Sequence, residues 1–578
     1  MKTTEKKRIR LRIFFIGFIF SIFFAIIGAK AVYLQVLCEP WLSQKAAGQY
    51  EKSFIFQGKR GTIYDTNHRE MAVSIDVTSI AAYPSRIKDP QAVAKSLAQV
   101  LKIDAPKLCR KLASKSSFVW IKRYVTPKDL KAVKNFGFYG MDYIPEHSRY
   151  YPNKTLAAHL LGFSGTDSRG LEGIEFYYNS YLQGDSCKVT VLKDALGRGF
   201  DSEKKVVADH EGNDLILTID RTVQYIAENA LKEAVVKYSA KYGSVIVMNP
   251  ATGAVLAMAQ YPFFNPNLFG LSGREVWRNR AITDQFEPGS TMKIFNAAAA
   301  IESGVCTKNT IFFCENGSYR IGKNIVHDVK SHGWLSLQQI VKYSSNIGAV
   351  KVGELTGSRS LYNALIQFGF GEKAGIDFPG ETAGSLMPYY RWSKIDAGAI
   401  SFGQGISVSA IQLLTATCAI ANDGVLMKPH IVRAITDHNG CPVKILRPQK
   451  IRRAVSARTA GIVKKMMMSV ISEGGTGVNA ALKGYTVCGK TGTAQKINEQ
   501  GIYSKGKYIS SFIGFAPAEK PEVAILVIID EPREKHYGGT VAAPAFRKIA
   551  YETLNYMNIS PVKGTDRLTA SLVNGVSW

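Results

Sequence analysis

The chain predicts a multidomain α+β protein, on three observations. Its 578 residues exceed what one hydrophobic core organises, so two or more domains are expected. An apolar run with a basic flank opens the chain and reads as a membrane anchor. In the second half, strand-like runs at both ends enclose a helix-rich middle, the pattern of one antiparallel sheet with helices packed on it. The expected boundaries are residues 1–12 for a cytoplasmic tail, 13–36 for the anchor and 37–238 for a non-catalytic domain of mixed strands and helices. Residues 239–560 make a second domain, and 561–578 a polar, mobile tail.

The anchor comes first. Lys2, Lys6, Lys7, Arg8, Arg10 and Arg12 precede residues 13–29, twelve of which are Ile or Phe. At roughly 0.3–0.6 kcal/mol each, their insertion gains about 4–7 kcal/mol. Lys30 lies near the far end, where its amine can snorkel, and residues 31–34 complete a span of about 20 residues. The basic flank stays cytoplasmic, so the rest of the chain lies outside. Ala29-Lys30-Ala31 also has the small-x-small form of a signal-peptide cleavage site, but the long apolar run favours retention.

Between the anchor and residue 238, residues 60–74 read as a turn-rich strand pair, 97–112 as an amphipathic helical stretch with basic residues, 215–220 as a strand and 222–237 as a helix. No catalytic constellation appears there. The second half opens with strands at 243–248 and 254–260 joined by the turn signal Asn249-Pro250-Ala251-Thr252-Gly253. Helices follow at 290–303, 335–343, 361–368, 408–421 and 457–471. Strands return at 486–494, 510–515 and 523–530, and a helix at 544–557 closes the domain.

Net charge is +27, from 73 Lys+Arg against 46 Asp+Glu. Such an excess suits an anionic lipid, an acidic polymer or nucleic acid. No helix-turn-helix, zinc or RNA-binding signature supports nucleic acid, and a membrane tether argues against it. Eight cysteines contain no C-x-x-C, so no zinc or redox motif is present. Cys306 and Cys314 flank a short loop behind the 290–303 helix; an exported compartment permits their pairing, and free buried thiols are the alternative. Cys488 reads as a small strand residue. His159, His327 and His332 are isolated and read as core or surface, so no metal ligands and no cofactor are expected.

The chemistry lies in three short motifs in a fixed order: Ser290-Thr291-Met292-Lys293, Ser344-Ser345-Asn346 and Lys490-Thr491-Gly492. A serine and a lysine three apart share one helix face, which sets an amine beside a hydroxyl. That is what a nucleophilic serine without a histidine partner requires. S-x-x-K alone is weak, since Ser85/Lys88, Ser202/Lys205 and Ser504/Lys507 also match. Ser290 differs because the turn signal Glu287-Pro288-Gly289 precedes it and an apolar helix follows, so backbone N–H groups point outward there. Together the motifs point to acyl transfer through a serine ester, in the order that serine β-lactamases and penicillin-binding proteins share.

On these residues the chain resembles a class B penicillin-binding protein of the septal, FtsI-like group, from the anchor to about residue 560. Further matches are RGTIYDTNHREMA (60–72), GLEGIEFYYN (170–179), LILTID (215–220), FEPGSTMK (286–293), SFGQGISVS (401–409) and EGGTG (473–477). His68 stands where the family usually has Gly, which bears on the geometry of one turn. The resemblance implies a penicilloyl-serine transferase fold on a dimerisation-like pedestal. It implies a peptidoglycan D,D-transpeptidase that cross-links stem peptides through an acyl-serine and is acylated by β-lactams. Ser290 is then the nucleophile, Lys293 its base, and Ser344 a proton relay; Asn346 bonds Lys293 and the substrate amide, and Lys490 supplies a cation that lowers the pKa of Lys293. Thr491 and Thr493 bind the substrate carboxylate, Gly492 leaves room for substrate, and the N–H groups of Ser290 and Thr493 form the oxyanion hole. Ser344-Ser345-Asn346 and the stretch 536–561 suggest division over elongation. No glycosyltransferase segment is visible, so a glycan polymerase and other division proteins are expected partners. A hydrolytic β-lactamase would need a base for water; no E-x-x-L-N stands between Asn346 and Lys490, and Glu381 sits in a Gly/Pro-rich turn. A non-enzymatic scaffold or sensor would need an output domain, and only about twelve residues precede the span.

Overall fold

The computed structural model describes residues 2–37, 51–192, 211–498 and 502–561. Cys38 and nearly all of the expected tail, from residue 562 on, lie outside the described residues. Two compact units divide the chain: residues 1–58 with 185–210, and residues 59–184 with 211–578. In the first unit a helix spans Lys2–Val32 and continues as a π-turn to Leu37. Residues 6–36 of it are long and apolar enough to cross a membrane, and its Phe and Ile side chains are exposed, as a lipid-facing helix requires. The same unit holds an antiparallel pair, Glu51–Gln57 with Ser186–Leu192.

The second unit contains two larger sheets. One runs in the order Pro442–Ile445, Val432–Thr436, Asp214–Leu217, Ile63–Tyr64, Glu70–Ala82, Val119–Val125, with Met141–Tyr150 also paired to Glu70–Ala82. The strand pair expected at 60–74 is there, Ile63 facing Ala72. Its turn is held by buried Asp65, whose Oδ1 accepts the N–H groups of Asn67 and Arg69 at 2.9 and 2.8 Å. His68 takes φ +58° in that turn, the left-handed region that glycine adopts without strain. The helix expected over 97–112 is two helices, Pro90–Leu101 and Ala105–Leu112. Lys102 turns left-handed at φ +53°, and Asp104 caps the second helix by accepting the Lys107 N–H at 2.6 Å.

A buried ionic knot ties this part together. Glu175, fully buried, receives Arg60 Nε on Oε2 at 2.6 Å and Arg149 Nε on Oε1 at 2.5 Å, and the Tyr151 hydroxyl donates to Oε1 at 3.1 Å. Burial pushes the Glu175 carboxyl up, but Arg149 and then Arg60 outweigh it and hold the group below the usual glutamate range.

The second sheet is antiparallel throughout, in the order Cys488–Ile497, Tyr503–Ala516, Val523–Asp530, Tyr242–Met248, Val255–Tyr261. Its inner strands are apolar on both faces because both are covered. Val245 and Val247 face helices Arg221–Lys237 and Ala543–Tyr556; Ile246 and Met248 face the other way, into a core with Phe295 and helix Ala410–Ala421, every residue of which is buried. The helix Arg221–Lys237, which precedes residue 238, thus packs on the sheet of the second half. Strands Val432–Thr436 and Pro442–Ile445 join the sheet of the first half.

Glu175→Ala leaves two guanidinium groups buried without a counter-charge and is expected to destabilise the protein by about 3–5 kcal/mol. Thermal denaturation of the full chain reads this. Because the folded carboxyl titrates below its unfolded value, its contribution is present above the ordinary glutamate pKa and is lost as pH falls toward the depressed one.

Candidate active site

Three segments converge on one buried amine. Ser290 lies in a 3-10 turn, Gly289–Met292, that leads into the helix Lys293–Glu302, so the helix expected from 290 begins one tighter turn late. The stretch 401–409 clamps this turn. Phe286 and Val408 exchange backbone hydrogen bonds at 2.9 Å, and the Gly289 N–H donates to Gly403 O at 3.0 Å. A Cβ on Gly403 would stand 2.0 Å from Gly289 O, so only glycine allows the approach.

Lys293 is 1% exposed. Its Nζ donates to Ser344 O and Asn346 Oδ1, both at 2.7 Å, and lies 2.9 Å from Ser290 Oγ and 3.2 Å from Ser344 Oγ. Asn346 is oriented by its Nδ2, which donates to His327 O at 2.9 Å, so Oδ1 faces the amine. A neutral amine has two N–H protons and one lone pair. Ser344 O and Asn346 Oδ1 are acceptors only and take both protons, which leaves the lone pair for the Ser290 hydroxyl. Lys490, fully buried, donates to Ser344 Oγ at 2.8 Å and to Thr491 O at 3.1 Å. The Ser344 hydroxyl therefore bridges the two amines.

Burial pushes Lys293 down to about 7, against a smaller upward pull from Asp328. Lys490 is held well below the usual lysine range, by burial first and then by repulsion from Lys293. The pair resists carrying two protons. Lys490, expected as the cation that lowers the pKa of Lys293, is itself desolvated like its neighbour, and the Ser344 hydroxyl lies between the two amines.

The turn that presents Ser344 is strained and capped. Ser344 ends the helix Leu337–Tyr343 in a left-handed conformation, φ +64°. Ser345 caps the helix Asn346–Thr356 by accepting the Gly348 N–H at 2.9 Å. Asp328 accepts from Ser345 Oγ at 2.6 Å and from the N–H groups of Asn346 and Ile347 at 2.5 and 3.1 Å. The sequence reading missed this residue, although Asp328 is the only acidic residue between Glu315 and Glu354. It also missed Glu287, whose carboxylate accepts the Gly405 N–H at 2.8 Å and the Tyr503 hydroxyl at 3.0 Å.

Cys488–Ile497 is the edge strand of the antiparallel sheet, and Lys490 and Gly492 share one of its faces. A Cβ on Gly492 would meet Ser511 Oγ at 2.2 Å and Thr291 Cγ2 at 3.0 Å. The space expected there for substrate is occupied by the protein: Gly492 sets the distance between strand and serine turn. Thr493 Oγ1 accepts the Gly538 N–H at 3.1 Å and so keeps its own proton to donate. Thr491 Oγ1 shares a hydrogen bond with Thr476 Oγ1 at 3.0 Å. Cys488 donates to Lys464 O at 3.3 Å and burial pushes its thiol up, so it is inert beside the site. Cys306 and Cys314 are free and buried. Glu381 accepts the Gly375 N–H at 3.1 Å and holds its own turn. His159 is buried, His332 stacks on Tyr343, and no cluster of His, Cys, Asp or Glu fit to hold a metal occurs among the described residues.

Residues 243–551 match the penicillin-binding protein transpeptidase domain, and residues 55–217 the penicillin-binding protein dimerisation domain. The chain belongs to the class B penicillin-binding proteins. Among the relatives of this penicillin-binding protein is the probable peptidoglycan D,D-transpeptidase PenA of Neisseria meningitidis, 35% identical over 97% of this chain and 95% of the relative. FtsI of Escherichia coli, a peptidoglycan D,D-transpeptidase, is 33% identical over 93% and 90%; stage V sporulation protein D of Bacillus subtilis is 33% identical over 96% and 87%. Penicillin-binding protein 3 of Mycobacterium tuberculosis in complex with aztreonam superposes with a TM-score of 0.69 at 27% identity, covering 88% of this chain and 98% of that one. A peptidoglycan synthetase from Bifidobacterium adolescentis gives 0.71 at 26%, covering 90% and 99%. This penicillin-binding protein is accordingly a serine-type peptidoglycan D,D-transpeptidase with an N-terminal helix fit for a single-pass anchor.

Asp328→Asn removes the charge that pulls the Lys293 pKa upward, so that pKa falls further below about 7. The acid limb of the pH profile for penicillin acylation is expected to move to lower pH, with about 1 kcal/mol of stability lost at the cap. Acylation rates measured between pH 5 and 9 (on the order of two units either side of neutral) check the sign.

Proposed function

We propose that this transpeptidase cross-links septal peptidoglycan from the outer side of the membrane, with Ser290 as nucleophile and Lys293 as its base. The observation that carries the reading is the amine of Lys293 at 2.9 Å from Ser290 Oγ, with both its neutral N–H groups taken by acceptors. Ser290 gives its proton to Lys293 Nζ as Oγ attacks the carbonyl carbon between the two D-alanines. The N–H groups of Ser290 and Thr493 hold the oxyanion. The C–N bond breaks, and the departing D-alanine amine takes a proton by way of Ser344 Oγ, refilled from Lys293 or Lys490. Thr491 and Thr493 donate to the terminal carboxylate, and Asn346 aligns the peptide amide. An acceptor amine then attacks the acyl ester, and Ser290 recovers its proton. In a β-lactam the broken C–N bond lies within a ring, so the leaving amine stays attached and the ester persists.

The orientation rests on the six basic residues ahead of the span, which favour a cytoplasmic N-terminus. The domain reading is an anchor, a pedestal, and a transpeptidase domain whose sheet recruits the helix Arg221–Lys237. A glycan polymerase supplies the strands. The septal assignment rests on Ser344-Ser345-Asn346, on the stretch 536–561 and on the relatives named FtsI.

Ser290→Ala is expected to give no mass increase after penicillin treatment, and an adduct on that variant would remove Ser290 as nucleophile. Ser344→Ala should slow acylation by about 10²–10³-fold while binding of a non-reactive substrate analogue is kept. Depletion in the source cell should give undivided filaments; rounded cells would assign the protein to elongation.

A further inference from the structure

The cationic excess of this protein is uneven. Residues 83–140, a lobe of the pedestal, carry 13 Lys+Arg against 3 Asp+Glu, a surplus of 10 out of the chain's 27. The three carboxylates of that lobe are already engaged. Asp89 and Asp104 cap the helices Pro90–Leu101 and Ala105–Leu112, and Asp129 lies 3.8 Å from Lys122. The lobe has its own small apolar core, so the charges are a surface on a folded body.

One face concentrates them. In the helix Pro127–Asn135, Lys128, Lys131 and Lys134 are exposed at i, i+3 and i+6 and form a stripe about 9 Å long. Among the described residues none of the three pairs with a carboxylate; Lys134 lies over the Tyr143 ring at 5.2 Å. The stripe runs directly into exposed aromatic rings. Phe136 stacks on Phe138 at 5.2 Å, and Tyr139 is 74% exposed although it is large and partly apolar. The opposite side of the helix is closed, with Val133 in the lobe's core. Lysines followed by uncovered rings suit a polymer that offers both carboxylates and flat sugar faces.

The enzyme's own substrate is such a polymer. Each donor stem ends in a D-alanine carboxylate, so a glycan strand bearing many stems is a polyanion with a saccharide backbone. We propose that the face formed by Lys128, Lys131, Lys134, Phe136 and Tyr139 is a non-catalytic docking site for peptidoglycan strands. Strands held there are concentrated near the catalytic chain by long-range attraction plus ring stacking, without any change at Ser290.

The test is co-sedimentation of the full chain, in detergent micelles, with purified peptidoglycan sacculi. Lys128→Glu, Lys131→Glu and Lys134→Glu combined are expected to lower retention about tenfold near 0.15 M salt. Penicillin acylation should keep its wild-type rate, and Tyr139→Ala should weaken retention at all salt concentrations. Reversal of Lys444, Lys450 and Lys520 to Glu provides a variant of equal net charge and is expected to retain sacculi. Wild-type protein blocked by penicillin should still bind; its release would place the retention in the catalytic centre and overturn the proposal. So would equal loss in the matched variant, equal binding to sacculi whose carboxylates are amidated, or unchanged binding by the lysine-reversal variant. Displacement of sacculi by anionic lipid vesicles at equal charge would assign the face to a membrane and also overturn it.

Discussion

Two lysines buried around one serine hydroxyl, with no carboxylate bound to either among the described residues, form the constraint that the rest of the catalytic domain serves. An isolated ammonium in such a place costs several kcal/mol, and the molecule reduces that cost by lowering the affinity of both amines for protons. Asp328 is the carboxylate whose charge pulls on Lys293, yet its oxygens are occupied by Ser345, Asn346 and Ile347. It therefore acts on Lys293 only through distance. The Lys293 amine stays near a neutral-pH balance, which is the state in which a lysine can accept a proton from an alcohol.

That balance requires rigid surroundings, because a small outward movement of either lysine would admit water and restore its charge. Rigidity comes from close backbone approaches. Gly403 lies against Gly289 O, Gly492 against Thr291 and Ser511, and Gly538 against the backbone oxygens of Ser511 and Gly492. Each glycine removes a Cβ where two segments must touch. The serine turn, the strand and the 538–541 helix thereby pack closely, backbone to backbone at Gly403 and Gly538 and against the Thr291 and Ser511 side chains at Gly492. The left-handed Ser344 is the other concession, since its conformation aims both a carbonyl and a hydroxyl at Lys293.

Much of this was legible in the chain because the informative features are local. The three motifs sit at a turn, a cap and a strand, each marked by its own composition, and strand 523–530 follows from an unbroken apolar run. What stayed hidden depends on partners distant in sequence. The helix Arg221–Lys237 reads as the end of one domain, but its apolar face meets Val245, Val527 and Phe546. Residues 432–436 fall within the expected 239–560 domain, where no strand is expected, but they form a strand between Pro442–Ile445 and Asp214–Leu217. Asp328 carries no motif of its own, and its value appears only when the 346–356 helix begins beside it. The chain splits at Lys102 because Asp104 caps a new helix with Pro106 in its first turn, a local start that amphipathic spacing does not mark.

The same packing bears on the fate of an acyl-enzyme at Ser290. Hydrolysis and transfer both need a base to take the entering nucleophile's proton, and an amine is the stronger nucleophile once deprotonated. Glu287, three residues before Ser290, is occupied by Gly405 and Tyr503, and burial raises its pKa. Glu381 is bound to the N–H of Gly375 in its own turn. Lys293 is the base in the proposed mechanism, and its Nζ lies 2.9 Å from Ser290 Oγ, the oxygen that the acyl group would occupy. Its amine is thus placed to receive a proton from an incoming amine nucleophile on the serine side, where the ester is. An arrangement with one base on one side of the bond serves an exchange in which the leaving and entering groups are both amines. Transpeptidation is such an exchange.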